Sequence, residues 1–245
     1  MREVMAKHAL GRSSIADYTV NPYLGCQHNC LYCYARAYTD RLTRGDLLVR
    51  VNVPDLLVRE VVKKRRGLVY LSSLTDPYQP IETKYKLTRE ILEVLHRYNW
   101  PVTLQTKSPL VLRDLRLLQR MRAEVGITVS PMDSRLEPNA PPLEERISAL
   151  QRLVGRVRTF AFIGPIIPGT PIDELKYVLE EVREVDLVYL DKLNLRPGVF
   201  ERVNPILSEI FPGWKKEMKH YYDAVLGEVV PEMRRLGIRY KVLFR

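Results

Sequence analysis

The sequence predicts an α/β fold in which six β/α units form a partial TIM-like barrel, followed by a C-terminal helical extension and a terminal strand. Two observations support this. From Gly67 onward, short apolar runs rich in β-branched residues alternate with segments of helical period, which is typical of a parallel sheet with crossover helices. Successive runs are separated by about 30 residues, the length that one βαβ unit requires. Because six units are fewer than the eight of a closed barrel, we expect a partial one.

Each core strand is predicted from a short apolar run, and one helix from a clear apolar stripe. In chain order, the six strands are Tyr18–Leu24, Leu68–Leu74, Val102–Gln105, Glu124–Val129, Val157–Ile163 and Leu187–Leu190. Between the second and the third, Leu87, Ile91, Leu95 and Tyr98 recur at the period of a helix that packs one face on a sheet. We therefore assign that stripe to the core.

Two regions depart from the simple alternation. Leu47–Val53 has the composition of an additional strand, placed before a helix over Asp55–Lys64. The tail predicts a helix over Lys215–Leu236, interrupted near Pro231, and a terminal strand over Arg239–Phe244. With no repeat, low-complexity tract or flexible linker to mark a boundary, we expect one domain over 1–245, with a core barrel over about 16–198 and an extension over 199–245.

Composition and charge limit the class of protein. A hydrophobic fraction of 46% is typical of a globular protein with a sizeable core. The 39 Lys and Arg against 29 Asp and Glu give a net charge of +10. This charge favours an anionic partner, of which DNA or RNA is the first candidate. The alternative is that the charges form a solvated outer face. No apolar run approaches the roughly 20 residues of a membrane helix, so we expect a cytoplasmic protein without a membrane partner.

The three cysteines lie within eight positions, in the spacing CxxxCxxC formed by Cys26, Cys30 and Cys33. Three thiolates can bind three irons of a [4Fe–4S] cubane and leave the fourth iron open, whereas electron-transfer clusters use four cysteines. Two alternatives stay open: a Cys₃His zinc site that includes His28, and three buried apolar cysteines. The grouping of all cysteines in one loop also predicts a reducing compartment rather than disulfides.

The cysteine spacing, with aromatic Tyr32 before the last cysteine, resembles the signature of the radical S-adenosylmethionine (SAM) superfamily. Residues from 21 to about 198 are similar to its spore photoproduct lyase-like subfamily of DNA-repair photolyases, through NPYLGC at 21–26, SLTDPYQPIE at 73–82, LTREIL at 87–92, TKSPLVLRDL at 106–115 and GPIIPG at 164–169. The resemblance implies metal binding by the three cysteines, reductive cleavage of SAM to a 5′-deoxyadenosyl radical, and an electron donor such as ferredoxin or flavodoxin. Hydrogen abstraction from the substrate then follows.

Polar residues follow the predicted strands at their carboxyl ends, where a barrel places its active site. The residues expected to bind SAM are Tyr32, Thr75, Asp76, Gln79, Lys107, Ser108, Thr128, Ser130, Gly164 and Pro168. By resemblance, Lys107 and Ser130 match positions that hold SAM in the subfamily. Gly169 lies with Gly164 and Pro168 after the fifth predicted strand. The candidates that face the substrate are Asp191, Lys192, Asn194 and Arg196. The expected catalytic residues are Cys26, Cys30, Cys33, Tyr78 and Asp191.

One feature departs from the subfamily. Spore photoproduct lyase uses an additional cysteine to return a hydrogen atom, and this chain has no cysteine beyond the motif, so a tyrosine such as Tyr78 or Tyr189 would have to substitute. We therefore retain three hypotheses. They are a radical SAM enzyme that repairs or modifies a nucleic acid, one that acts on a small molecule or protein, and a non-catalytic zinc-binding nucleic-acid module. In the first, phosphate contacts are expected from Lys63, Lys64, Arg65, Arg66, Arg234, Arg235 and Arg239.

Overall fold

A computed structural model describes residues 1–244, and it contains two sheets surrounded by helices. The strands are β1 (Arg2–Val4), β2 (Tyr18–Val20), β3 (Tyr23–Leu24), β4 (Leu48–Arg50), β5 (Val69–Leu71), β6 (Val102–Thr106), β7 (Ala123–Thr128), β8 (Arg158–Ile166), β9 (Leu187–Lys192) and β10 (Tyr240–Val242). The α-helices are α1 (Arg36–Thr43), α2 (Val53–Val61), α3 (Glu82–Tyr85), α4 (Leu87–Arg97), α5 (Leu115–Leu118), α6 (Leu143–Leu153), α7 (Ile172–Glu181), α8 (Val199–Ile210) and α9 (Trp214–Arg235). Short 3₁₀ helices cover Pro109–Asp114 and Ser134–Leu136.

The large sheet has seven strands in the order β10-β9-β8-β7-β6-β5-β2, and every neighbouring pair in it is parallel. The prediction of a parallel α/β fold built from six β/α units is therefore confirmed, and the terminal strand joins the sheet as a seventh. In a parallel sheet all carboxyl ends lie at one edge, so the loops after β2, β5, β6, β7, β8 and β9 meet there.

The predicted first strand is divided into two strands that belong to different sheets. At the division, Asn21 Oδ1 accepts a hydrogen bond of 2.9 Å from the Leu74 backbone N–H, and Pro22 has no N–H to continue a ladder. The chain then enters β3, which pairs antiparallel with β4, the strand predicted over Leu47–Val53. The sequence analysis did not predict β1, which is parallel to β4 and completes a three-stranded sheet.

The two faces of the large sheet differ in character, because side chains alternate along each strand. One face carries fully buried apolar residues such as Val69, Leu104, Ile127 and Leu190 and packs against the helices. In α4, Leu87, Ile91 and Leu95 are buried as the apolar stripe predicted. The other face, which we call the inner face, carries Tyr70, Gln105, Thr128, Phe162, Tyr189 and Asp191.

The C-terminal extension consists of α8, α9 and β10. The prediction that the helix is interrupted near Pro231 is wrong, because α9 continues through this residue. An interior proline costs about 3 kcal/mol, but buried Val229 and Met233 anchor the helix on both sides of it, and their packing offsets that cost. In the part of the chain that the structure describes, no helix combines the length and the apolarity needed to cross a bilayer.

The packing of the inner face depends on a glycine in β7. A Cβ at Gly126 would lie 2.0 Å from two carbons of the Phe160 ring, which covers the glycine from β8. We expect Gly126→Ala to lower the free energy of unfolding by about 1–3 kcal/mol, the usual cost of overpacking a core. Urea denaturation measures the change.

The control is Gly227→Ala in α9, where a Cβ meets no atom within 4 Å. Alanine should stabilise that helix by about 0.5–1 kcal/mol. Equal effects of the two substitutions would contradict the packing argument.

Candidate functional site

The cysteine loop, defined as residues 25–35, lies between β3 and α1 at the carboxyl ends of the parallel strands. All three cysteines are free thiols, and Cys30 is buried. Burial raises the pKa of the Cys26 thiol to about 12, and the nearby Asp76 carboxylate adds to the shift. Burial also raises the pKa of Cys30 to about 11, although the charge of Lys107 acts in the opposite direction. Without a metal the thiols of Cys26 and Cys30 are therefore protonated, and metal binding must release their protons.

Two residues predicted to bind SAM instead hold the backbone of the cysteine loop. Thr75 Oγ1 donates a hydrogen bond of 2.6 Å to the Gly25 carbonyl, and Gln79 Nε2 donates to the same carbonyl at 3.3 Å and to Thr75 Oγ1 at 2.7 Å. Gln79 Oε1 accepts a hydrogen bond of 2.9 Å from the Gln27 N–H. Because Gln79 is fully buried and engaged at both ends of its amide, it supports the loop rather than a ligand.

His28 connects the middle of the loop to Asp76. Its Nδ1 lies 3.2 Å from the Asn139 carbonyl oxygen, and its Nε2 lies 3.3 Å from Asp76 Oδ2. Asp76 also accepts hydrogen bonds from Thr106 Oγ1 at 2.6 Å and from the Lys107 N–H at 2.8 Å. Both ring nitrogens of His28 therefore face protein oxygens, which disfavours the Cys₃His zinc site. Asp76 thus organises the loop through three protein partners, and SAM binding by Asp76 stays a prediction.

A buried ionic cluster lies against the cysteine loop and is centred on Glu137. Its carboxylate accepts hydrogen bonds from the Tyr32 hydroxyl and from Arg146 Nη2. Lys107 Nζ lies 3.6 Å from Glu137 Oε1 and 5.5 Å from the centroid of the Tyr32 ring. Burial acts to raise the pKa of Glu137, but the charges of Lys107 and Arg146 outweigh it and the pKa is lowered. Lys107 is thus held as a cation beside Cys30, as expected of a residue that binds a carboxylate.

Four buried side-chain polar atoms have no hydrogen-bond partner in the described part of the chain. They are His28 Nε2 in the cysteine loop, Ser72 Oγ directly after β5, Ser130 Oγ two residues after β7, and Arg146 Nη1. A buried polar atom without a partner costs about 1–3 kcal/mol, so such atoms commonly indicate a ligand or ordered water. SAM binding by Ser130 stays a prediction, and Arg146 is an additional candidate.

Three other predicted residues have structural roles. Ser108 Oγ caps the 3₁₀ helix by accepting from the Leu110 N–H at 3.3 Å. Tyr78 is fully buried, and its hydroxyl donates to Asp114 at 3.1 Å. A Cβ at Gly164 would lie 2.3 Å from the Phe162 ring, so the absent side chain makes room for an aromatic residue of the inner face. The ring of Tyr78 is enclosed by protein, and a catalytic role for it stays a prediction.

The inner face offers a polar and aromatic surface at the same end of the sheet. Gln105 Oε1 accepts from the Tyr70 hydroxyl at 3.1 Å, and Gln105 Nε2 donates to Thr128 Oγ1 at 3.0 Å. Phe162 contacts Tyr189, with ring centroids 6.3 Å apart. Thr128, predicted to bind ribose, is thus already bonded to Gln105.

The predicted residues after β8 and β9 divide into half-buried and exposed groups. Asp191 is half-buried, and burial raises its pKa. Lys192 Nζ lies 5.7 Å from the centroid of the Phe244 ring. Asn194 and Arg196 are exposed, and Pro168 is buried. Asp191 is therefore the member of this group that combines a position on the inner face with a perturbed carboxyl.

Sequence reasoning did not identify several residues that form the site. Glu137 and Arg146 occupy a polar, proline-containing segment that gives no sign of burial. Tyr70 and Gln105 could have been found, because each lies at an alternate position of a predicted strand. Tyr34 directly follows the last cysteine, and its hydroxyl donates to the Ser73 carbonyl at 3.0 Å.

The basic segments expected to contact phosphates lie at the opposite end of the sheet. Residues 63–66 connect α2 to the amino end of β5, and residues 234–239 connect α9 to the amino end of β10. Arg235 is also paired with Glu180 and Glu232, at 2.5 and 2.6 Å. Phosphate contacts from these segments stay a prediction, and the topology puts the segments at the end of the sheet opposite the cysteine loop.

Neutralising Glu137 should destabilise the protein strongly. Glu137→Gln leaves Lys107 and Arg146 as buried cations without their carboxylate, and we expect a loss of about 3–5 kcal/mol in the free energy of unfolding. Asp133→Asn is the matched control, because it removes a carboxylate whose partner Arg135 is exposed and should cost about 1 kcal/mol or less. Urea denaturation compares the two. Similar losses would show that Glu137 is not the centre of the cluster.

Asp76 should make stability depend on pH in the acid range. Burial acts to raise its pKa, but His28, Thr106 and the Lys107 N–H lower it to about 2. A carboxyl with a lowered pKa in the folded state stabilises above the unfolded value, and this contribution, about 2 kcal/mol, is lost as the pH falls from about 4 through 2. Asp76→Asn should therefore flatten the acid limb of stability against pH, measured by urea denaturation.

The control is Asp223→Asn, at an exposed position of α9, which should follow the wild-type curve. An acid limb as steep in the Asp76 variant as in the wild type would contradict the assignment.

Comparison with known sequences identifies relatives of the chain. The profile of the Radical SAM superfamily matches residues 20–182. An uncharacterized protein of Methanocaldococcus jannaschii is 34% identical over 93% of this chain and 92% of its own length. A radical SAM Nα-GlyT isomerase of Pseudomonas phage M6 is 26% identical over 67% of this chain and 36% of its own length.

Solved structures share the fold at low sequence identity. Spore photoproduct lyase with bound AdoMet and dinucleoside spore photoproduct aligns with a TM-score of 0.64 at 14% identity, covering 99% of this chain and 81% of the lyase. SuiB of Streptococcus suis bound to S-adenosylmethionine aligns with a TM-score of 0.55 at 13% identity, covering 92% of this chain and 50% of SuiB. Since the family profile spans most of the parallel sheet and includes the cysteine loop, the chain belongs to the radical SAM superfamily.

Proposed function

We propose that this protein reductively cleaves SAM at a [4Fe–4S] cluster bound by Cys26, Cys30 and Cys33 and abstracts a hydrogen atom from a nucleic-acid base that it repairs or modifies. The observation that carries the proposal is the joint position of three free thiols and the half-buried Lys107 cation at the carboxyl ends of the sheet. A cytoplasmic electron carrier such as ferredoxin or flavodoxin would supply the electron.

The residues present fit the cluster and SAM that the family implies. Cys26, Cys30 and Cys33 would hold three irons, which leaves one iron free to bind SAM. Lys107 would pair with the SAM carboxylate, and the orphaned Ser130 Oγ and Arg146 Nη1 would gain partners from a polar ligand. When bound, the cluster and SAM supply a 5′-deoxyadenosyl radical that removes hydrogen from the substrate.

The protein's own residues hold the cysteine loop and Lys107 in position. Thr75, Gln79 and Asp76 fix the cysteine loop, while Tyr32 and Glu137 keep the side chain of Lys107 in place. Holding these groups before the substrate arrives reduces the entropy lost when the reacting atoms are brought together.

The inner face is suited to a flat heterocycle. Aromatic rings of Tyr70, Phe162 and Tyr189 offer surfaces for stacking, which contributes about 1–3 kcal/mol per base in proteins that bind single strands. Gln105 and Asp191 add hydrogen-bonding groups to the same face. Asp191 has a pKa raised by burial and would accept a hydrogen bond from an N–H of the base edge.

One structural neighbour supports a nucleic-acid substrate. The solved spore photoproduct lyase binds a dinucleoside spore photoproduct. The net charge of +10 favours the same class of partner. At the carboxyl ends of the strands, exposed Arg41 and Arg44 in and after α1 and exposed Arg196 after β9 would contact phosphates.

A second candidate is a radical SAM enzyme that modifies a peptide. It is favoured by the likeness to SuiB bound to its precursor peptide SuiA, with a TM-score of 0.54 at 12% identity. The inner face would then bind side chains rather than a base. We group a small-molecule substrate with this candidate, because in both cases the net positive charge would serve solubility rather than substrate binding.

The test is anaerobic reconstitution with iron and sulfide, reduction with dithionite, and measurement of 5′-deoxyadenosine from SAM in the presence of single-stranded DNA, RNA, peptides or metabolite extract. We expect stimulation by DNA or RNA, and transfer of deuterium from labelled nucleic acid into 5′-deoxyadenosine. Stimulation by peptides or metabolites alone would favour the second candidate. A protein that binds zinc and no cluster would contradict the whole proposal.

Charge reversal at the two ends of the sheet tests where a nucleic acid binds. The double variant Arg41→Glu and Arg196→Glu should weaken binding to single-stranded DNA about tenfold or more and reduce the salt dependence of the affinity, because phosphate contacts are lost. Fluorescence anisotropy over a range of salt concentrations measures both effects. The matched control is Arg65→Glu with Arg66→Glu, a double reversal at the amino ends of the strands, which should retain most of the affinity. Equal losses in the two variants would contradict binding at the cysteine loop.

A further inference from the structure

The C-terminal extension packs directly on the cysteine loop. Along α8, Val199, Val203 and Leu207 are buried at spacings of four residues and belong to one apolar cluster with Cys30 and Tyr32. Leu136, Ile167, Leu193 and Trp214 complete this cluster, and Leu31 and Cys33 are among the residues that pack against it. One side of the loop is therefore covered by residues that lie beyond the segment 20–182 matched by the family profile.

Arg202 reaches from α8 into the backbone of the loop. Its Nε donates a hydrogen bond of 2.8 Å to the Leu31 carbonyl, and its Nη2 donates one of 3.0 Å to the Cys33 carbonyl. The two acceptor carbonyls belong to the residues on either side of Tyr32. One planar guanidinium of α8 therefore fixes the backbone of residues 31–33, at the end of the cysteine motif. A Cβ at Gly198 would lie 2.9 Å from Arg202 Nη1, and the missing side chain of Gly198 thus leaves room for this arrangement.

The charge of Arg202 is only partly compensated by these bonds. Both carbonyl acceptors are neutral, and the side chain is half-buried. Burial and the neighbouring charge of Arg36 lower the pKa of Arg202, while a negative Cys33 sulfur and the carboxylates of Asp40 and Glu201 act in the opposite direction. Because Arg202 donates a hydrogen bond to the Cys33 carbonyl, its charge lies next to a residue that would hold the cluster.

We propose that Arg202 is a positioning residue for the cluster, which fixes the backbone around Cys33 and favours the reduced state through its charge. This inference rests on the proposed function, since it requires a cluster on the three cysteines. Reduction adds one negative charge to the cluster, and a nearby positive charge stabilises the more negative state. Substitution by lysine separates the effect of the charge on the reduced state from the effect of the hydrogen bonds on the backbone. Lysine keeps the positive charge but lacks the planar guanidinium that donates two hydrogen bonds.

The experiment compares wild type with Arg202→Gln, Arg202→Lys and a control, Lys215→Gln. The control removes one positive charge from the same extension, where Lys215 Nζ lies 4.3 Å from the centroid of the Phe200 ring. Two quantities are measured: the midpoint potential of the reconstituted cluster, by redox titration followed by electron paramagnetic resonance, and hydrogen exchange of residues 29–34 in the metal-free protein. Thermal unfolding establishes that each variant is folded.

We expect Arg202→Gln to make reduction about tenfold less favourable, a shift of about 59 mV to lower potential for a one-electron couple, and to accelerate exchange in the loop about tenfold. Arg202→Lys should accelerate exchange but keep the potential near that of the wild type. Lys215→Gln should change neither quantity. This pattern separates the contribution of charge from that of geometry.

Wild-type potential and wild-type exchange in Arg202→Gln would overturn the inference, and so would an equal shift of potential in Lys215→Gln. If the wild type takes up no cluster, the proposed function fails and the claim about reduction fails with it. Exchange in the metal-free protein would still decide whether Arg202 fixes the loop, so the two failures are distinguishable.

Discussion

The buried carboxylate of Glu137 is the interaction on which the arrangement of the site depends. It joins three parts of the chain that are distant in sequence: Tyr32 of the cysteine loop, Lys107 after β6 and Arg146 of α6. The buried carboxylate of Asp76 also acts on Lys107, so two carboxylates balance the two cations in this region. Lys107 is therefore held as a cation beside Cys30, a thiol that must itself become an anion to bind metal.

The cysteine loop owes its shape to partners outside itself. A segment of eleven residues between a two-residue strand and a helix has little regular structure of its own. Gln79 holds its start, His28 fixes its middle through Asp76 and Asn139, and Glu137 and Arg202 hold its last turn. These partners come from three separate parts of the chain, namely the segment between β5 and α3, the segment between the second 3₁₀ helix and α6, and α8, so ordering the loop is coupled to folding of the whole sheet. The entropy of fixing three thiols is thus lost on folding rather than on metal binding.

The alternation of apolar runs was enough to predict the parallel sheet, because a strand buried on one face by helices needs such runs regardless of function. The cysteine motif could also be identified from the sequence, because the spacing of its ligands is a family signature. Contacts between residues distant in sequence could not be predicted. Thr75, Asp76 and Gln79 were correctly placed near the loop, but only their partners show that they support its backbone. Tyr78 has the same sequence context and is directed to Asp114 instead.

The positions of the basic residues relative to the cysteine loop could not be predicted from the sequence either, and the topology of the sheet determines them. A run of four basic residues over 63–66 is the strongest local charge signal in the sequence, yet it precedes β5 and lies at the amino ends of the strands. Individual arginines such as Arg41 and Arg196 carry no comparable signal but lie at the end that holds the cysteine loop. Because the field of an exposed charge decays over about 8–10 Å at physiological salt, charges at the far end contribute to long-range attraction and little to binding at the site. Net charge therefore favours a class of partner without locating its binding site, whereas the direction of the strands determines which charges lie at the end that holds the cysteine loop.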